Sequence, residues 1–149
     1  MLFIGIDTGV NTGYAVWDSG TQSFQCIDTI TITQAFKRIE ALIREGNSCT
    51  VIFEDARLRH WFGTSGPEKW QGAGSIKRDA TIWETWCKEN DIPYLKVAPK
   101  NNRTKLSSAL FRKYTNYNGR TTDHARDAAM LVFGRRDNIP ELYINLKKA

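Results

Sequence analysis

Apolar and polar positions alternate along the chain in blocks that predict one α/β domain. Leu2–Asp7 is a short apolar run rich in β-formers, closed by an acid and Thr8-Gly9, and predicts a buried strand. Gly13–Trp17 runs into Asp18-Ser19-Gly20, a turn signal, so a second strand and a hairpin follow. Phe24–Ile32, with Ile27, Thr29, Ile30, Thr31 and Ile32, predicts a third strand. Thr33 is placed to cap a helix reaching about Glu45. Its apolar positions Ala35, Phe36, Ile39, Leu42 and Ile43 recur at helical spacing until Gly46-Asn47 stops it. Cys49–Phe53 predicts a fourth strand running into Glu54-Asp55. Residues 56–74 hold four glycines and a proline, which predicts a long loop. Ser75–Asn90 predicts a second helix, with Ile76, Ala80, Trp83 and Cys87 on one stripe. Pro93–Ala98 predicts a fifth strand, and Thr104–Tyr114 and Thr121–Arg135 two final helices. Three consecutive strands form a meander, and strands separated by helices can pair in parallel. The expectation is a mixed five-stranded sheet flanked by helices in a single domain over residues 1–149, with 137–149 peripheral.

Composition narrows the class. The chain has 149 residues, 41% of them hydrophobic and 25% charged, which fits one globular domain rather than a disordered chain. No apolar run approaches the ~20 residues that cross a bilayer. No basic n-region precedes the first strand, and an acid interrupts it where a signal peptide would continue. Three cysteines, Cys26, Cys49 and Cys87, are an odd number without C-x-x-C spacing. A disulfide framework or zinc ribbon is therefore not expected, and a cytoplasmic protein is.

The charge is unevenly spread. Lys and Arg number 21 and Asp and Glu 16, a net charge of +5. Between Ile92 and Arg120 lie Lys96, Lys100, Arg103, Lys105, Arg112, Lys113 and Arg120, with no acid among them. The rest of the chain is net negative, so the whole excess sits in this segment. A polyanion is the natural partner of such a block, the plain alternative being a solvated basic face.

The acids fall where chemistry is often found. Asp7 ends the first strand, with Thr8-Gly9 and Gly13 allowing a tight turn beside it. Glu54 ends the fourth strand after Val51-Ile52-Phe53. Asp127 begins the almost wholly apolar stretch Ala128–Phe133, so it sits on a helix buried over most of its surface and needs a partner. His124 precedes it by three positions and Asp123 by four, so all three can share one face. Each residue also has an ordinary structural use: a turn cap, a surface acid, a helix-start charge or a half-buried histidine. If Asp7 and Glu54 lie on adjacent strands under that helix, the carboxylates converge and repel unless a cation lies between them. Oxygen ligands select Mg2+ or Mn2+. Two such ions about 3.5–4 Å apart stabilise both oxygens of an in-line phosphodiester displacement.

At these residues the sequence resembles a known family. Phe3-Ile4-Gly5-Ile6-Asp7-Thr8-Gly9, followed by Thr12-Gly13-Tyr14-Ala15-Val16, is similar to the first-strand motif of RuvC-type Holliday junction resolvases, members of the ribonuclease H-like (retroviral integrase) superfamily. Glu54 matches the family's second acid, and His124-Ala125-Arg126-Asp127-Ala128-Ala129 resembles its C-terminal D-x-x-D-A helix. The likeness runs from about Leu2 to Phe133, and the compact length resembles phage-type members. The resemblance implies a ribonuclease H-like fold. It also implies a metal-dependent endonuclease that resolves four-way or other branched DNA by paired nicks, with two Mg2+ or Mn2+ ions per site and no organic cofactor. It makes Asp7, Glu54, Asp127 and His124 the ligand and catalytic set, with Asp123 the alternative fourth ligand. It places Lys105, expected on the helix after the fifth strand, near the scissile phosphate. Many members carry an acid at the position of His124 and some a histidine. Imidazole favours Mn2+ over Mg2+.

The nucleic acid would be held by the basic segment Lys96–Arg120, and further by Arg57, Arg59, Lys69, Lys77 and Arg78. Trp61 and Phe62, on the glycine-rich loop after Glu54, suit stacking on exposed bases or wedging at a branch point, unless they fold into the core. Paired nicks on a two-fold junction imply a homodimer, with the helix Ser75–Asn90 and its Ile76, Trp83 and Trp86 as candidate interface. Within the same fold an RNA-processing nuclease and a non-catalytic nucleic-acid-binding module are the alternatives. An actin-like or sugar-kinase-like ATPase opens similarly, but this chain is too short for its two lobes and lacks a Walker-type loop.

Overall fold

The computed structural model describes residues 1–58, 67–99, 102 and 105–137, and of 67–73, 75 and 76 the helical backbone alone. Five strands appear in the expected order: β1 (Leu2–Asp7), β2 (Thr12–Asp18), β3 (Ser23–Ile30), β4 (Cys49–Glu54) and β5 (Tyr94–Val97). Four helices join them: α1 (Ile32–Arg44), α2 (Pro67–Glu89), α3 (Ser108–Thr115) and α4 (Asp123–Val132). The sheet order is β3-β2-β1-β4-β5. β1, β2 and β3 form an antiparallel meander, and β4 and β5 extend the other side in parallel. The chain is therefore an α/β protein with a mixed five-stranded sheet, and β1 is its central strand.

Several boundaries differ from expectation by a few residues, β3 ending at Ile30 and α4 spanning Asp123–Val132 among them, and three helix starts have a clear cause. α1 begins earlier because Thr31 caps it, accepting from the Gln34 backbone N–H while the Gln34 side chain accepts from the Thr31 N–H. α2 begins at Pro67 and absorbs half of the expected loop, since a proline at the first helical position suits a helix start and two glycines do not stop the helix. α3 begins at Ser108, capped by Ser107, so Lys105 precedes the helix.

The sheet separates two cores by its two-residue side-chain period. Leu2, Ile4 and Ile6 of β1 and Cys49, Val51 and Phe53 of β4 face α1 and α2, where Ala35, Ile39, Ala80, Trp83 and Cys87 cover them. Phe3 and Ile52 face the other way, under Phe111 of α3 and Ala125, Ala128, Ala129 and Val132 of α4. Continuing both alternations puts Asp7 and Glu54 on the α4 face. Trp83 is fully buried and packs edge-on against Phe36 and Trp86. As part of the core it is not a surface contact for a second subunit, which corrects the expected interface at that residue.

α4 lies unusually close to the sheet. A Cβ on Gly5 of β1 would stand 2.1 Å from the Ala128 carbonyl oxygen. One on Gly13 of β2 would stand 2.0 Å from the His124 carbonyl oxygen and 2.9 Å from the Asp7 Cβ. Helix backbone thus rests directly on bare strand backbone. The near end of α4 is capped by Thr122, whose hydroxyl also bonds that of Thr29. Beyond its far end, Trp17 packs edge-on against Phe133 and its indole N–H donates to the Arg135 carbonyl at 3.0 Å.

Gly5→Ala and Gly13→Ala should each cost about 3 kcal/mol or more, because backbone must move to admit the methyl. Gly74→Ala, in α2 with nothing within 4 Å of its added Cβ, should gain up to about 1 kcal/mol. Urea unfolding of the three variants checks both signs.

Candidate active site

β1 and its parallel neighbour β4 end side by side, with Ile6 opposite Phe53. Asp7 and Glu54 therefore emerge at adjacent strand ends on one face. α4 lays its first turns over the same place. The Nδ1 of His124 stands 2.8 Å from Oδ2 of Asp7. Burial pushes the Asp7 carboxyl up to about 6, the His124 bond opposes this, and the neighbouring carboxylates of Asp127 and Glu54 push it further up. The Asp7 carboxyl thus lies within electrostatic reach of the Asp127 and Glu54 carboxylates, each on a different element.

Asp123 is turned away. Its side chain is 84% exposed and pairs with Arg126 on the next turn. Of the two candidate fourth ligands, His124 is the one brought against Asp7. Arg126 is itself buried, donating to the Leu106 carbonyl through Nε at 2.8 Å and to the Thr121 carbonyl and hydroxyl through Nη1. It ties the stretch before α3 to α4.

The Lys105 backbone takes a part that its residue type does not announce. It lies before α3 with φ +61°, the left-handed region that costs a non-glycine residue about 1 kcal/mol or more. In that conformation its backbone N–H donates to Oδ1 of Asp127 at 2.9 Å, while the side chain is exposed. Asn102 donates from Nδ2 to Oε2 of Glu54 at 3.1 Å. No signal in the sequence marks Asn102, since its partner lies 48 positions away across the sheet.

The basic residues divide. Arg112, Lys113 and Arg120 are exposed on α3 and the stretch leading to α4, on the acid-bearing side of the sheet. Arg57, expected to reach nucleic acid, instead forks onto the buried Asp55 with bonds of 2.7–3.1 Å and reaches Glu84 at 3.3 Å. Lys96 pairs with the same Glu84 at 2.9 Å, on the α2 face of the sheet and away from the acid cluster. The Arg57 guanidinium holds Asp55 below the usual carboxylate range against the burial that would raise it. Lys96, Arg57 and Lys88 do the same for Glu84. These two residues thus belong to an ion-pair network that joins the turn after β4 to α2 and β5. Lys77 is half-buried and Arg78 exposed on α2. Arg59, Trp61, Phe62, Lys100 and Arg103 lie outside the described residues, as does the side chain of Lys69.

The residue types suit a hard divalent cation: three carboxylates and an imidazole lie toward one end of the sheet, on β1, β4 and α4, with the Asp7 carboxyl driven toward its neutral form by burial and by the other two carboxylates. Among the described residues no three His, Cys, Asp or Glu side chains stand together closely enough to hold a metal ion as they are placed. No family model matches the chain, and a search of curated proteins finds no match. Among the described residues no helix is long and apolar enough to cross a membrane.

Because Asp7 holds its proton more tightly folded than unfolded, stability should fall as pH rises from about 4 to 6. In chelator, Asp7→Asn should therefore be more stable than the parent by about 1–3 kcal/mol at pH 7 and equal to it below pH 4. Thermal unfolding across this range tests the sign. Lys105→Gly should unfold at higher temperature than Lys105→Ala, by about 1 kcal/mol, since only glycine takes the positive φ without strain.

Proposed function

We propose that this protein is a metal-dependent, structure-specific endonuclease of ribonuclease H-like fold that nicks branched DNA, four-way junctions in particular. One observation carries the reading: Asp7 and Glu54 end neighbouring parallel strands on the face where α4 presents His124 and Asp127. The resemblance of three separate stretches, at Asp7, Glu54 and Asp127, assigns those same residues to a nuclease. The mixed sheet, a meander extended by parallel strands, agrees with it.

Asp7, Glu54, Asp127 and His124 would hold Mg2+ or Mn2+. Bound there, the ions would supply the positive charge that stabilises the attacking and leaving oxygens of phosphodiester hydrolysis. These four residues stand on β1, β4 and α4, elements that pack directly on one another. Exposed Arg112, Lys113, Arg120 and the Lys105 side chain, on the same side of the sheet, would hold phosphates. Such contacts give a salt-sensitive affinity with little dependence on base sequence. A four-way junction has two-fold symmetry, and paired nicks follow from a two-fold dimer with one site in each subunit.

The test is cleavage of a labelled four-way junction against linear duplex and structured RNA, with Mg2+ and with Mn2+. Symmetric nicks on the junction are expected, with Mn2+ at least as effective as Mg2+. Asp7→Asn should lower the rate at least about a hundredfold. His124→Ala should lower it far more than Asp123→Asn. Cleavage of RNA alone would move the substrate to RNA within the same chemistry. No cleavage of any of the three, with nucleic acid still bound, would leave a binding module.

A further inference from the structure

The connection between β5 and α3 reaches the acid cluster twice. Asn102 gives its side-chain N–H to Oε2 of Glu54 at 3.1 Å, and Lys105 gives its backbone N–H to Oδ1 of Asp127 at 2.9 Å. The two acceptors stand on different elements, the end of β4 and the second turn of α4. Both donors are neutral, so neither cancels the negative charge of the cluster as an arginine or lysine would. Each instead fixes one oxygen of a carboxylate and leaves the other as a ligand.

Both contacts are made at a cost. Lys105 adopts a left-handed backbone that its side chain disfavours. The carbonyl oxygen of Asn102 is buried and has no hydrogen-bond partner among the described residues. An amide buried with one half unsatisfied costs free energy, and an apolar side chain at that position would avoid it. Two unfavourable local arrangements on one connection, each ending in a bond to a carboxylate of the site, share one benefit, which is the orientation of those carboxylates.

We infer that Asn102 and the Lys105 backbone are positioning groups for the cation site. They orient Glu54 and Asp127 from outside the ligand set, as hydrogen-bond partners behind metal ligands commonly do. The inference rests on the metal-dependent reading of the site and assigns Asn102 a role in cation affinity rather than in contact with the nucleic acid. Asn102 also lies in the most basic segment of the chain. The same connection would therefore carry phosphate contacts and carboxylate orientation together.

The experiment measures Mn2+ affinity of the full-length protein without nucleic acid, by titration calorimetry or by the loss of the free Mn2+ resonance. Asn102→Ala and Asn102→Leu, the second filling the volume without a donor, should each weaken Mn2+ binding roughly tenfold or more. Asn102→Gln, which keeps the amide donor, should recover part of that loss. In the cleavage assay, kcat at fixed Mn2+ should fall while KM for the junction stays within about twofold. Circular dichroism of each variant confirms the fold. If folded Asn102→Ala and Asn102→Leu bind Mn2+ as the parent does, the positioning role is wrong and the nuclease reading stands. If the parent binds no Mn2+ and Asp7→Asn behaves identically, both fall together.

Discussion

The close contact of α4 with β1 and β2 is the constraint on which the rest of the molecule depends. Gly5 and Gly13 remove the side chains that would hold a helix at its ordinary distance from a sheet, and small residues at Ala125, Ala128 and Ala129 do the same from the helix side. The helix then lies with backbone on backbone. Only at that distance does His124 reach Asp7, and only then do Asp127 and Glu54 come near enough to raise the Asp7 carboxyl. Packing on the far side of the sheet is conventional. There large side chains such as Trp83, Phe36 and Trp86 fill a thick layer. The close approach is local: it holds over Gly5 and Gly13, while Trp17, Phe24, Phe111 and Phe133 supply bulk elsewhere on the same face.

That proximity has an electrostatic consequence. Burial at the edge of a packed core does most to raise the Asp7 carboxyl, and the carboxylates of Asp127 and Glu54 add to it against the His124 bond. Several other charges among the described residues are paired elsewhere. Arg57, Asp55, Glu84 and Lys96 neutralise one another around α2, on the other side of the sheet or beyond its edge. Asp123 is neutralised by Arg126. What is left near the ends of β1 and β4 is negative charge, with exposed basic residues along the adjoining helix. A net charge of +5 conceals this separation.

Much of the fold is legible in the residues because it rests on local periodicity. The two-residue alternation of β1 and β4 carries both their apolar faces and the side on which Asp7 and Glu54 emerge. The i, i+3 spacing of His124 and Asp127 puts them on one face of α4. The start of α2 was hidden, because Gly72 and Gly74 read locally as loop while a helix begun at Pro67 continues through them. α3 starts at Ser108 because the Ser107 hydroxyl accepts from the Leu110 N–H, a later start than the expected Thr104.

The order of strands, the residue types at their ends and the segregation of basic residues were determined by the sequence alone, since each follows from neighbours within a few positions. Tertiary structure decided which partner each charge takes. Asp123 had two possible roles by spacing, and Arg126 claimed it. Arg57 and Lys96 were basic residues in nucleic-acid-like surroundings, and a buried Asp55 and Glu84 claimed them. Asn102 and the Lys105 backbone acquired roles that their types do not announce, because Glu54 and Asp127 reach them only after the sheet has formed. Hydrogen bonds and ion pairs act over about 3 Å, and only folding brings residues from distant parts of a chain within that distance.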